Sequence, residues 1–266
     1  MEKIKVAVNG AYGRMGREVC QAILDDGDLE LTGVFDLLGR GEDIGEVLGR
    51  QKLGLLIQNL GVDTLAGRQA RVLVDFTTPM AVMENIRTSL QAGVRPVVGT
   101  TGITQVDLEL INEWVEKAGI GAVVAPNFAL GAVLMMKFSQ VAARYLNQAE
   151  IIELHHDQKI DAPSGTSIKT AEMIEAGRRQ KPGRREELLK LAGARGAVTG
   201  DVHIHSVRLE GLIAHQEVIF GGLGQTLSIR HDSYDRKSFM PGVIMAVKNV
   251  TNLRKMVYGL ENLLDL

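Results

Sequence analysis

The sequence predicts an α/β chain of two unlike lobes, and three observations carry that expectation. The first half alternates short β-branched runs with longer helical ones, as in "KIKVAVNG" followed by "REVCQAIL", the rhythm of a parallel sheet with helices on its faces. The second half replaces that rhythm with strand-like runs such as "DVHIHSVRL", whose period-two alternation describes a sheet with two different faces. A length of 266 residues suits two compact bodies, at roughly one domain per 100 to 200 residues. The expected division places residues 1–127 with 240–266 in the first lobe and 128–239 in the second.

Composition excludes several classes of function. With 45% hydrophobic and 23% charged residues and a net charge of −2, the chain reads as globular and gives no general electrostatic case for nucleic acid. Aromatic residues are only 4%, too few for a base-stacking platform. No apolar run approaches the roughly 20 residues needed to span a bilayer, and the start "MEKIKVAVNG" lacks the order of a secretory signal. Cys20 is the single cysteine, so no intrachain disulfide framework exists. A cytoplasmic protein without membrane or nucleic-acid partners is expected. The basic run Arg178, Arg179, Lys181, Arg184 and Arg185 is broken by Pro182 and Gly183 and followed by Glu186 and Glu187. It reads as a solvated loop, with ligand or interface contacts as the alternative.

Element by element, the first lobe opens with a strand over Ile4 to Val8, a turn through Gly10-x-x-Gly13-x-x-Gly16, and a helix. Gly10 permits the turn, Gly13 a close approach of backbone to a pyrophosphate, and Gly16 tight helix packing. Placed directly after a first strand, the glycines predict a Rossmann-like dinucleotide-binding domain, with packing glycines as the alternative. The second strand, "LELTGVFD", ends in Asp36, twenty residues beyond Gly16. There an acid accepts hydrogen bonds from an adenosine ribose and disfavours a 2′-phosphate, although Arg40 follows closely. "ARVLVDFT", "RPVVGTTG" and "IGAVVAPNF" supply further strands, separated by helices in "PMAVMENIRTSLQAG" and "TQVDLELINEWVEKAG". The loops Asp75 to Pro79, Gly99 to Gly102 and Ala125 to Phe128 then lie at strand carboxyl ends, where such sheets bind ligands.

After a helix near Val133 to Leu146, the strands "AEIIELHH", "DVHIHSVRLEG", "AHQEVIFGG" and "QTLSIRHDS" predict a smaller α+β domain for substrate and oligomerisation, with one or two helices between Ser167 and Leu191. A tail from Gly242 to Leu266 reads as helical. The segment "HHDQKIDAPSGTS" carries the densest chemistry, because His155 and His156 stand at a strand end and Lys159 precedes the turn Ser164-Gly165-Thr166. Neighbouring side chains on an extended segment point oppositely, so the two histidines need not share a job. Lys159 and the Ser164-to-Thr166 turn describe an anion pocket. Zinc is disfavoured, since adjacent histidines do not aim at one ion and His203 with His205 lacks a third ligand. A serine hydrolase is disfavoured too, because Ser164 is not in a Gly-x-Ser-x-Gly elbow.

Over essentially its full length the chain resembles the 4-hydroxy-tetrahydrodipicolinate reductase (dihydrodipicolinate reductase) family, through "GAYGRMG", "DFTTP", "GTTG", "APNF", "HHDQKIDAPSGT", "HSVR" and the terminal "LDL". The resemblance implies NADH- or NADPH-dependent reduction of a small cyclic dicarboxylate in diaminopimelate and lysine biosynthesis, by a homo-oligomer that is a tetramer. It implies His155 as proton donor, Lys159 as a second catalytic or substrate-positioning base, and substrate contacts from His156, Ser164, Gly165 and Thr166. It maps cofactor contacts onto Gly10, Ala11, Tyr12, Gly13, Arg14, Met15 and Gly16, onto Asp36, and onto Gly99, Thr100, Thr101, Ala125, Pro126, Asn127 and Phe128. No metal is expected. The competing readings are another two-domain dehydrogenase acting on an amino or keto acid, and a nucleotide sensor without turnover. Neither accounts for the whole His155-to-Thr166 segment.

Overall fold

The computed structural model describes residues 2–183 and 188–265. Two compact units emerge, Met1–Phe128 with Phe239–Leu266, and Ala129–Ser238.

The first unit begins with β1 (Ile4–Asn9), α1 (Arg14–Asp25) and β2 (Leu29–Phe35), followed by two short helices, α2 (Ile44–Val47) and α3 (Val62–Ala66). It continues through β3 (Val72–Asp75), α4 (Val82–Gln91), β4 (Arg95–Val98), α5 (Gln105–Ala118) and β5 (Ala122–Val124). The second unit contributes α6 (Leu130–Ala142), β6 (Gln148–His155), α7 (Gly165–Gly177), β7 (Ala197–Thr199), β8 (Val202–Arg208), β9 (Ala214–Gly222) and β10 (Gln225–Ser233). The chain then completes the first unit with α8 (Met240–Val250) and β11 (Met256–Tyr258).

The first unit's sheet runs β11-β5-β4-β3-β1-β2, and every pairing is parallel. Strands covered on both faces must be apolar on both, and Val72, Leu73 and Val74 of β3 are each at most 1% exposed. The order reverses at β1, whose neighbours are β2 and β3; such a reversal opens a crevice at the strands' carboxyl ends. Beyond β2, Gln58 forms a parallel bridge with Phe35, a one-residue remnant of a further strand that no sequence pattern announced.

The expectation of a wholly helical tail from Gly242 to Leu266 is overturned. α8 stops at Val250, and Met256–Tyr258 instead adds a parallel strand to β5. An edge strand leaves a row of unpaired backbone groups; β11 satisfies those of β5, and that gain outweighs continued helix. The helix expected near Val133 to Leu146 is shifted to Leu130–Ala142. Among the described residues the stretch from Ser167 to Leu191 holds one helix, α7. Arg184 and Arg185 of the basic run lie outside the described residues.

The second unit's sheet is mixed, in the order β10-β9-β6-β8-β7, with β6 and β8 parallel and the other pairs antiparallel. α6 and α7 pack on one face, burying Ile151, Ile204, Val218 and Phe220. On the alternate positions Ile152, Leu154 and Ile219 are interleaved with charges. Glu150 accepts from Arg195 Nη2 at 2.6 Å and pairs with His205 Nε2 at 2.8 Å, while Arg230 bridges Glu217 at 3.5 Å and Asp232 at 3.0 Å.

Candidate active site

The loop after β1 is shaped by two glycines. Gly10 has φ +79°, and a Cβ there would lie 2.7 Å from the Phe76 carbonyl oxygen. A Cβ on Gly16 would fall 2.0 Å from the Gly10 carbonyl oxygen. Gly13 is the N-cap of α1 and no side chain caps that helix, an end suited to a phosphate anion. Ala11 is buried, Tyr12 and Met15 are half-buried, and Arg14 is exposed.

Asp36 is committed to the same loop. One carboxylate oxygen accepts from the Tyr12 backbone N–H at 2.9 Å and the other from the Leu38 N–H at 2.9 Å. Each carboxylate oxygen retains a further lone pair for a ribose hydroxyl, so the acid both fastens the glycine turn to β2 and remains an acceptor. The Tyr12 ring lies 4.6 Å from the Arg17 guanidinium and against Gly39, where a Cβ would approach it to 2.3 Å. Arg17 and Gly39 carry no motif, and only the fold joins them to the loop.

Asp75, 1% exposed, sits where β3 ends. It accepts from Asn9 Nδ2 at 2.8 Å, Asn85 Nδ2 at 2.9 Å, the Thr77 N–H at 3.0 Å and hydroxyl at 2.7 Å, and Thr100 Oγ1 at 3.1 Å. One buried carboxylate therefore ties together β1, α4 and the loops after β3 and β4. The Thr100 hydroxyl is engaged there, whereas Thr101 is exposed. A Cβ on Gly99 would lie 2.1 Å from the Phe76 ring, and that ring stacks obliquely on Phe128 at 5.7 Å between centroids. Ala125 is buried, Asn127 half-buried and Pro126 exposed. Phe76, within the "DFTTP" loop, joins the loops after β3, β4 and β5 through its ring.

In the second unit the two adjacent histidines part company. His156 is exposed, while His155, two residues from Glu153 on the same face of β6, places Nδ1 2.5 Å from Glu153 Oε2. The Glu153 side chain is fully buried. Arg208 Nη1 donates to Oε2 at 2.9 Å and Nη2 to Oε1 at 2.8 Å, and the Ser164 N–H reaches Oε1 at 3.3 Å. Burial alone would raise the Glu153 carboxyl, but hydrogen bonds from His155, Arg208 and Ser206 overcome it and bring the value down to about 2. Glu153 was absent from the sequence-derived site. Its signal was an acid at an alternating position otherwise held by buried Ala149 and Ile151.

Lys159 Nζ donates to both oxygens of Asp161 at 2.7 and 2.8 Å, and this bond chiefly holds the Asp161 carboxyl below its ordinary range. The ammonium thus stands at the loop's own acid. Ser164 is the N-cap of α7: its hydroxyl accepts from the Ser167 N–H at 3.2 Å and meets Ser167 Oγ at 2.7 Å, which donates to Gln216 at 2.8 Å. Its hydroxyl builds the turn, so the turn's capacity for an anion rests on the N-terminal end of α7 at Gly165 and Thr166.

Both units match models of one family. Residues 4–128 match "Dihydrodipicolinate reductase, N-terminus" and residues 131–264 match "Dihydrodipicolinate reductase, C-terminus". The chain is 51% identical over 264 residues to the 4-hydroxy-tetrahydrodipicolinate reductase of Syntrophomonas wolfei, covering 99% of each chain. It is 51% identical over 269 residues to that of Desulfitobacterium hafniense, covering 100% of both. A dipicolinate-bound dihydrodipicolinate reductase from Paenisporosarcina sp. TG-14 superposes with a TM-score of 0.87 at 45% identity, covering 98% of this chain and 100% of that one. With both units matched along nearly their whole length, the chain belongs to the dihydrodipicolinate reductase family.

Proposed function

We infer that the chain catalyses NAD(P)H-dependent reduction of 4-hydroxy-tetrahydrodipicolinate to tetrahydrodipicolinate, in the route to diaminopimelate and lysine. The observation that carries this reading is the agreement of both units with one family, over residues 4–128 and 131–264. The turn at Gly10 and Gly16, which a Cβ on either would fill, fits a dinucleotide pyrophosphate.

When bound, the reduced nicotinamide supplies the hydride. Once the 4-hydroxy group has left as water, arrival of the hydride on the resulting conjugated ring leaves an electron-rich enamine, which takes a proton at the adjacent carbon. His155 delivers that proton from Nε2, since its Nδ1 is turned to Glu153. Lys159, His156 and the Ser164-Gly165-Thr166 turn hold the substrate carboxylates; Lys159 exchanges Asp161 for a substrate oxygen. The unit Ala129–Ser238 is the substrate and oligomerisation domain, and the other unit holds the cofactor.

Asp36 favours NADH at the adenosine end, and the exposed Arg14 and Arg40 keep NADPH usable. The sheet face away from α6 and α7, with Ile152, Leu154 and Ile219 among its ion pairs, is covered by further copies of the chain in a tetramer. The test of the activity is reduced-nicotinamide absorbance, which falls only when freshly made cyclic dicarboxylate is added. An unchanged absorbance with cofactor bound would make the protein a sensor, and turnover of an amino or keto acid instead would make it a different dehydrogenase.

A further inference from the structure

Glu153 occupies a position where the fold asks for a hydrocarbon. β6 buries Ala149, Ile151 and Glu153 on one face, and a carboxylate taken out of water is costly unless every lone pair finds a donor. Arg208 alone, bonded to both oxygens, would neutralise it. Three more donors are nevertheless brought in: Ser206 of β8, and two from the segment read as the active site, the His155 ring and the Ser164 N–H that opens the α7 turn. Arg208 also donates to the Asp161 carbonyl at 2.7 Å, so the same ion pair holds the middle of that loop. The register makes the grouping possible, because His155 stands opposite Arg208 and Glu153 opposite Ser206 in the parallel β6–β8 pair.

We infer that Glu153, with Arg208 as its counter-charge, is a positioning residue that dictates which nitrogen of His155 meets the substrate; the inference rests on His155 as the proton donor. An ionised carboxylate only accepts hydrogen bonds. His155 Nδ1 must therefore carry a hydrogen, and the proton that leaves does so from Nε2. The imidazolium gives its Nε2 proton to the substrate carbon, the ring remains as the neutral Nδ1–H form, and solvent returns a proton to Nε2. Throughout, the ring keeps one orientation and Glu153 keeps its charge. A glutamine at 153 breaks this arrangement whichever way it turns, because its NH₂ must then face donors from Arg208 together with either His155 or Ser164.

The experiment is a double-mutant cycle on the full-length protein with Glu153→Gln, His155→Gln and the combination, measuring kcat, substrate KM and NADH affinity by calorimetry. Glu153→Gln is expected to lower kcat by about 10²-fold, as expected for misdirecting an acid–base imidazole, with NADH affinity unchanged. In the His155→Gln background it should lower kcat by no more than about twofold further, since both changes remove one function. A persisting rise in KM would report the Ser164 turn. If Glu153→Gln alone fails to fold, the charge-neutral pair Glu153→Gln with Arg208→Gln replaces it, with the same expected kcat. Near-parental kcat in the folded Glu153 variant, or kcat losses that multiply across the cycle, would overturn the inference while leaving His155 as the acid. Near-parental kcat in His155→Gln would overturn the reading of His155 itself, and the positioning role with it.

Discussion

At the scale of single residues, Asp36 and Glu153 each do something that residue type alone did not reveal. Asp36 reads from its place at a strand end as a candidate ribose acceptor, and its bond to the Tyr12 N–H adds a structural duty. Asp36→Ala should therefore weaken both cofactors through the loosened turn, and NADH more than NADPH because repulsion of a 2′-phosphate is relieved. Comparing kcat/KM for the two cofactors measures this, and an unchanged ratio would place Asp36 outside the specificity pocket. That His155 and His156 need not share a job was legible from their adjacency, and the structure leaves His156 exposed while His155 meets Glu153; Glu153 and Arg208 were not legible, because a pairing 55 residues apart has no local pattern. Since the Glu153 value is lowered from 4.5 to about 2, its stabilisation is full above about pH 4.5 and lost as pH falls through about 2. The effect is at most about 3 kcal/mol. Urea midpoints recorded down that pH range should fall more steeply for the parent than for Glu153→Gln. For Lys159→Ala a raised substrate KM is expected along with lower kcat, read by steady-state kinetics.

At the scale of elements, the glycine-linked β1 and α1 were legible because their glycines occupy positions where backbone meets backbone. Gly16→Ala inserts a methyl 2.0 Å from the Gly10 carbonyl. It must displace the start of α1 and should raise the NADH dissociation constant by about tenfold or more, through loss of the phosphate-binding turn. The loops after β3 and β4 were legible as lying at strand carboxyl ends, yet what fixes them is Asp75, read from sequence only as the start of a loop. Asp75→Asn sets an NH₂ among five donors and should cost about 2 kcal/mol. Thermal melting and NADH calorimetry should both register the change, and unaltered values would show that the donors re-pair without the charge. β11 escaped detection because three residues carry too little periodicity to announce a strand. Its assignment depends on the exposed edge of β5, a tertiary fact.

At the scale of the whole molecule, the alternation of strands and helices in the first half and the two-faced strands of the second distinguished the two units before any contact was known. What patterning did not convey was the character of the second unit's open face, where Glu150, Arg195 and His205, and Glu217, Arg230 and Asp232, form ion pairs around Ile152 and Ile219. A tetramer built on that face predicts a light-scattering mass of about four chains at micromolar protein, and an active monomer at every concentration would contradict it. The central claim, that hydride from a reduced nicotinamide and a proton from His155 together reduce a cyclic dicarboxylate, is tested most directly by isotope transfer. Reduced nicotinamide deuterated at its reactive carbon is incubated with freshly made 4-hydroxy-tetrahydrodipicolinate and either the parent protein or His155→Gln. The account predicts tetrahydrodipicolinate carrying one deuterium per turnover from the parent, and the same labelled product about 10² to 10⁴ times more slowly from the variant. Product without the label, or equal rates from the two proteins, would contradict it.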